Sequence, residues 1–170
     1  MLSFDLRTLD AHAVQVDGTL PADDAMWLDE DPRPVAGVRV TGRLSTAGAG
    51  RYYFRGTLAG EVDAECRRCL TPVRAPVEDE IHVVFADATD SEVNDDPDVF
   101  PLDPRSQELD LRPAIREQWL LSVPAFVECR ADCKGLCPSC GVDRNTTACT
   151  CTTAADPRWD ALRTTRGESS

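Results

Sequence analysis

The chain has 170 residues, enough for one core with short additions, and at that length roughly two-thirds of the unfolded surface can be buried. Thirty acidic against eighteen basic residues give a formal net charge of −12, which opposes broad attraction to nucleic acid or anionic membrane and confines any RNA contact to a local patch. No stretch approaches the ~18 uninterrupted apolar residues of a membrane span, and MLSFDLRTLD carries charges where a secretory signal needs an apolar run, so a cytoplasmic, reducing setting without a membrane partner is expected.

In chain order, LSFDL is a weak strand candidate, and HAVQVDGTL alternates through Val14, Val16 and Leu20. GVRVTGRL does the same through Val38, Val40 and Leu44. In RYYFRGTLAGEVDAEC, residues 51–66, Tyr52, Phe54, Leu58, Val62 and Ala64 fall on even positions with polar residues between them, a period of two that predicts a strand. Gly56 and Gly60 on its inward face mark places where a sheet bends. After the tip RRCLTP the alternation resumes through Val73, Val77, Ile81, Val83 and Phe85, so the two runs form one long hairpin. Residues 87–110 hold nine acids and one arginine, as a solvated connection or a docking site for a basic partner would.

DLRPAIREQWLLSVP then predicts a helix. Asp110 caps it, Pro113 is tolerated in the first turn, and Leu111, Ile115, Trp119 and Leu120 share a side before Pro124. ADPRWDALRTTRGESS starts as a short helix, with Asp156 as cap and with Trp159 and Leu162 pinning the tail. The fold class expected is α+β: a curved antiparallel sheet or partly open barrel covered by one main helix, with a carboxy-terminal zinc-binding segment. The boundaries are 1–128 for sheet and helix, 129–151 for the cysteine-rich segment, and 152–170 for the tail.

Eight cysteines in a reducing setting point to metal before disulfide. Their spacing is Cys66-x2-Cys69, then Cys129-x3-Cys133-x3-Cys137-x2-Cys140-x8-Cys149-x-Cys151. A two-residue gap lets both sulfurs of a tight turn face one ion, and Zn²⁺ takes four such ligands tetrahedrally. The simplest closed site is Cys137, Cys140, Cys149 and Cys151, provided the CTC backbone is turned rather than extended. Cys66, Cys69, Cys129 and Cys133 then form a second site that joins the hairpin tip to the segment after the helix. A rival partition moves Cys133 to the carboxy-terminal group and leaves Cys129 free, so two Zn²⁺ ions are expected, or one.

His12 and His82 sit on exposed strand positions, and neither a GxSxG motif nor a glycine-rich phosphate loop is present. All-cysteine sites with no open position are structural, so the chain reads as non-enzymatic, without a small-molecule substrate. Redox switching of exposed thiol pairs is the alternative use of the same cysteines. Arg67, Arg68, Arg74, Arg130, Lys134 and Arg144 lie beside the thiols, where they form RNA-phosphate patches or merely offset thiolate charge.

ECRRCL on a hairpin, DLRPAIREQWLLSVP, CRADCKGLCPSCGVDRN with a closing CTC, and DPRWDAL, in that order, resemble the YceD family of bacteria and plastids. Val142, Asp143, Arg144 and Asn145 depart modestly from the family's asparagine-leucine-asparagine after the second knuckle. The resemblance implies a role in accumulation of 23S ribosomal RNA and in making the large ribosomal subunit. The expected partner is 23S rRNA or its precursor, or a large-subunit ribosomal protein. An acidic chaperone for a basic ribosomal protein and a zinc-dependent, redox-regulated holdase are the other classes open to such a sequence.

Overall fold

Alternation along four runs decides where the main sheet lies. The computed structural model describes residues 2–48, 50–89, 99–152 and 158. Within them β1 (Ser3–Asp5) and α1 (Leu6–Ala11) precede β2 (Val14–Leu20), β3 (Val38–Gly48), β4 (Arg51–Glu65) and β5 (Pro72–Asp87). Then come β6 (Val99–Leu102), β7 (Glu108–Asp110) and α2 (Arg112–Ser122). The main sheet has five strands in the order β2-β3-β4-β5-β6, and β1 pairs with β7 in a separate two-stranded sheet.

Strands β2, β3 and β4 pair antiparallel, with Gly42 opposite Gly56. That facing pair of glycines is a packing requirement: a Cβ on Gly56 would meet Thr41 O at 2.3 Å and the Phe54 ring at 2.6 Å. On β4 and β5, Tyr53 faces His82, Arg55 faces Glu80 and Asp63 faces Arg74, as in an antiparallel hairpin. The even-numbered Tyr52, Phe54, Leu58 and Val62 of β4 and the odd-numbered Val77, Ile81, Val83 and Phe85 of β5 are buried in one core with Leu9, Val38, Val40, Leu44, Ile115 and Trp119.

The sheet is not closed, with β2 and β6 as its edges. The structure departs from the expectations of the sequence in three places. The sheet is not wholly antiparallel, because β6 runs parallel to β5, with Val84 beside Val99 and Asp87 beside Leu102. Eleven residues separate these strands, which permits a return that no tight hairpin could make. The stretch 87–110 therefore carries two strands rather than a connection alone, while residues 90–98 lie outside the described ones. A short helix, α1, adds to the covering helix. Asp5 caps it by accepting from the Arg7 N–H at 2.8 Å, a signal that sits inside what looks like one strand.

Helix α2 buries Leu111, Ala114, Ile115 and Trp119, and Pro113 sits in its first turn. Leu111 rather than Asp110 occupies the cap position, yet an Asp110 carboxylate oxygen still accepts from the Arg112 N–H at 2.9 Å. The chain between β2 and β3 is strapped to this helix. Trp119 Nε1 donates to Pro32 O at 2.7 Å, Trp27 packs edge-on against Trp119 with ring centres 6.5 Å apart, and Arg116 grips both carboxylate oxygens of Asp31 at 2.6 and 2.8 Å. The segment holding Trp159 and Leu162 lies outside the described residues, as does most of the tail.

The chain divides into two compact units, one of Met1–Ala64 with Pro72–Val127 and one of Glu65–Thr71 with Glu128–Ser170. The hairpin tip thus groups with the cysteine-rich segment, a grouping that boundaries drawn along the chain at 128 and 151 do not contain. Among the described residues, no helix is long and apolar enough to cross a membrane.

The Asp31–Arg116 pair supplies a test of the strap. The Arg116 guanidinium holds the Asp31 carboxyl below its ordinary value of 3.8, so the unfolded chain binds the proton more tightly and stability rises with pH through that range. The pair's contribution is present above pH 3.8 and is lost as pH falls through the lower folded-state value. Asp31→Ala, which removes the carboxylate partner of a guanidinium that is 23% exposed in the parent, is expected to cost about 3 kcal/mol at pH 7 by denaturant unfolding. The deficit relative to the parent should shrink as pH falls below 3.8.

Candidate metal centre

Both cysteine-rich turns have one local design. In Cys66-Arg67-Arg68-Cys69-Leu70 the Leu70 N–H donates to Cys66 O at 2.9 Å, and in Cys137-Pro138-Ser139-Cys140-Gly141 the Gly141 N–H donates to Cys137 O at 2.8 Å. Closing that bond takes the fifth residue into the left-handed region, at φ 74° for Gly141 and φ 60° for Leu70, which is the one non-glycine residue with positive φ among those described. The turn points backbone N–H groups at the leading sulfur. Donation from the Cys129 N–H, then from Arg68 and Cys69, brings the Cys66 thiol down to about 6, and donation from the Cys140 and Ser139 N–H groups brings Cys137 down to about 6.

The structure gathers the eight thiols into two sets of four, Cys66, Cys69, Cys129 and Cys133 in one and Cys137, Cys140, Cys149 and Cys151 in the other. Within each set all sulfurs lie within 4.8 Å of one another. Cys66 and Cys133 have their sulfurs 3.8 Å apart, and Cys69 and Cys129 theirs 3.7 Å apart. A tetrahedron of thiolates around zinc at ~2.3 Å has edges of about 3.8 Å, so the first set already has the dimensions of a four-thiolate site. Cys149 and Cys151 lie outside any strand, which frees the CTC backbone from facing its sulfurs opposite ways.

The proton affinities within each set spread as expected of thiols crowded together. Burial, followed by donation to Cys133, Cys69 and Cys66, pushes Cys129 up to about 12. Hydrogen bonding to Cys140 and the charge of that sulfur push Cys151 up to about 12, and bonding to Cys137 raises Cys149. Cys66 in the first set and Cys137 in the second are drawn toward the thiolate, while Cys129, Cys149 and Cys151 hold their protons more tightly, and a divalent cation would take the place of those protons. The two tetrads could therefore hold metal ions such as zinc.

A family model described as "Large ribosomal RNA subunit accumulation protein YceD" matches residues 54–164, which include all eight cysteines. The chain belongs to the YceD family. Uncharacterized proteins of Mycobacterium tuberculosis and Mycobacterium bovis are each 36% identical to it over 110 residues, covering 63% of this chain and 52% of theirs. This chain thus spans about half the length of those mycobacterial relatives. The uncharacterized protein YlbN of Bacillus subtilis is 27% identical over 141 residues, covering 82% of this chain and 80% of its own. No solved structure matches.

In this YceD chain the six basic residues near the thiols separate into two kinds. Arg67 and Arg68 pair with Glu128, and Arg68 also donates to Cys133 O at 2.7 Å. Arg130 pairs with Asp132 at 3.3 Å. Arg74 belongs to the sheet unit, where it pairs with Asp63 at 3.4 Å. Lys134 and Arg144 are exposed, have no carboxylate within ion-pair distance among the described residues, and line one hollow with Thr146 and Thr147. Asn145 is a functional candidate that spacing alone does not single out. Its Nδ2 donates to Cys133 Sγ at 3.4 Å, and that bond with the Gly135 N–H outweighs burial, leaving the Cys133 thiol below its ordinary value. An asparagine five residues beyond a knuckle is the available signal, although asparagine in loops is too common to stand out.

The two turns predict opposite responses to mutation. Gly141→Ala forces a Cβ into the left-handed region, at a cost of about 1 kcal/mol, while Leu70→Gly relieves a similar strain. Zinc competition with a chromophoric chelator should show weaker binding for the first variant and equal or tighter binding for the second. A shift in the same direction for both would contradict the shared turn design.

Proposed function

We propose that this YceD-family chain is a non-enzymatic, cytoplasmic factor in 23S ribosomal RNA accumulation and large-subunit biogenesis, with two structural Zn²⁺ ions holding its cysteine-rich unit together. Family membership across residues 54–164 carries the reading, and the two four-sulfur clusters support its zinc part. Cys66, Cys69, Cys129 and Cys133 would hold one ion and Cys137, Cys140, Cys149 and Cys151 the other. Four thiolates leave no open position for a substrate, so each ion would act as a staple. A local RNA contact would fall on Lys134 and Arg144, because the carboxylates beside Arg67, Arg68, Arg74 and Arg130 already engage those cations.

Elemental analysis of the reduced protein is expected to give two zinc ions per chain, and Cys137→Ser should remove one without lowering the stability of the sheet unit. In cells lacking the parent gene, the parent chain should restore the ratio of 23S to 16S rRNA, and Cys137→Ser should restore it poorly. Full rescue by a zinc-free variant would break the link between metal and function. If RNA contact is direct, Lys134→Gln with Arg144→Gln should weaken binding to 23S fragments and reduce the salt slope by about two, one unit for each phosphate left without its cation. Binding by the double variant equal to the parent's would instead favour a basic large-subunit protein as partner, in keeping with the net charge of −12.

A further inference from the structure

The loop that closes the second tetrad also serves the first. Residues 141–148 link Cys140 to Cys149, so both ends of this loop are set by sulfurs of the second set. The loop folds back on the segment between the sets: Leu136 bridges Asp143, the Cys137 N–H donates to Val142 O at 2.8 Å, and the Arg144 N–H donates to Gly135 O at 3.0 Å. That places Asn145 beside the first set. Its Nδ2 donates to Cys133 Sγ at 3.4 Å and to Asp143 Oδ1 at 2.7 Å, while its Oδ1 accepts from the Lys134 N–H at 2.8 Å and from Arg130 Nη2 at 2.9 Å. Asp143 Oδ1 also accepts from the Asn145 backbone N–H at 2.9 Å, so one carboxylate oxygen holds both the backbone and the side-chain amide of Asn145.

We infer that Asn145 is a positioning residue that couples the two metal sites, so that filling the Cys137–Cys140–Cys149–Cys151 tetrad tightens binding in the Cys66–Cys69–Cys129–Cys133 tetrad, and the reverse. An ion in the second tetrad fixes both ends of the 141–148 loop and with them the Asn145 amide. The amide N–H then stabilises the Cys133 sulfur as a ligand, and its carbonyl holds the Arg130–Lys134 turn that carries Cys133. Outer hydrogen bonds to metal ligands of this kind typically change affinity by roughly ten- to a hundredfold. Linkage requires the effect to be equal in both directions. The inference rests on the reading that both tetrads bind metal.

The test uses the full, reduced chain stripped of metal, titrated with Zn²⁺ against a competing chelator and with Co²⁺ to follow thiolate absorption site by site. Asn145→Ala should weaken the first tetrad by about tenfold or more. Cys149→Ser with Cys151→Ser, which leaves Asn145 in place, should weaken it by a similar factor. Combining the two changes should add little, because both remove the same link. Cys66→Ser with Cys69→Ser should in turn weaken the second tetrad by the factor seen in the other direction. Additive effects, or an Asn145→Ala chain within about twofold of the parent, would overturn the coupling while leaving two metal sites in place. A parent that takes up fewer than two ions per chain would overturn the two-site reading and the coupling together.

Discussion

Sulfur takes the place of a hydrophobic core in one of the two units. Among the described residues of the unit formed by Glu65–Thr71 and the chain from Glu128, the one buried apolar cluster is Cys66, Cys69 and Cys133 with Leu136 packed against them. Burying one leucine contributes ~2 kcal/mol, far below the conformational entropy of ordering some thirty residues. The binding energy of a structural zinc in small sites is of order 10 kcal/mol or more, which is the scale needed. The sheet unit is built on an apolar core instead, with Phe54, Leu58, Ile81, Phe85, Ile115 and Trp119 at 2% exposure or less.

The two units also differ in how much their sequences reveal. Strands β2 to β5 are legible because one face of each is buried, so alternation survives as a pattern. Strands β1, β6 and β7 are only three or four residues long and mostly half-exposed, too short for a period of two to register. The parallel placement of β6 depends on tertiary packing, including Phe100 against Phe85 at 5.7 Å between ring centres, and no local signal encodes it. Trp27 is 4% exposed but lies in an acidic, proline-containing loop without periodicity, so its burial follows from Trp119 rather than from its neighbours.

In the cysteine-rich unit the spacing is informative where the chemistry is local and silent where it is not. A two-residue gap places two sulfurs on one turn, and the chain folds both such gaps that way, with the same bond from the fifth N–H to the first carbonyl. Leu70 shows the limit of a composition argument: the position geometrically equivalent to Gly141 tolerates a leucine in the left-handed region. Which cysteines share a site depends on the return of residues 129–133 to the hairpin tip after a long excursion, and Asn145 is recognisable only once that return brings it to Cys133 Sγ.

Charge explains why the tetrads are edged with cations in a chain of net charge −12. A divalent ion with four thiolates keeps a net charge of −2, and hydrogen-bond donors around the sulfurs spread that charge. Backbone N–H groups do this for Cys66 and Cys137, the Asn145 amide does it for Cys133, and Arg68 is anchored on the Cys133 carbonyl. Arg67 and Arg68 are in turn shared with Glu128, so the hairpin tip is held to the segment carrying Cys129 and Cys133 by ion pairs as well as by sulfur. These pairs lie near the surface and are worth little singly, about 0–1 kcal/mol each. Their value lies in geometry, because they restrict the two segments to the approach that places four sulfurs at tetrahedral spacing before any ion arrives. A clamp between segments so distant in sequence must meet the entropy of closing a long loop, and partial preassembly by Glu128 and Asn145 would lower the share left for a metal ion to overcome.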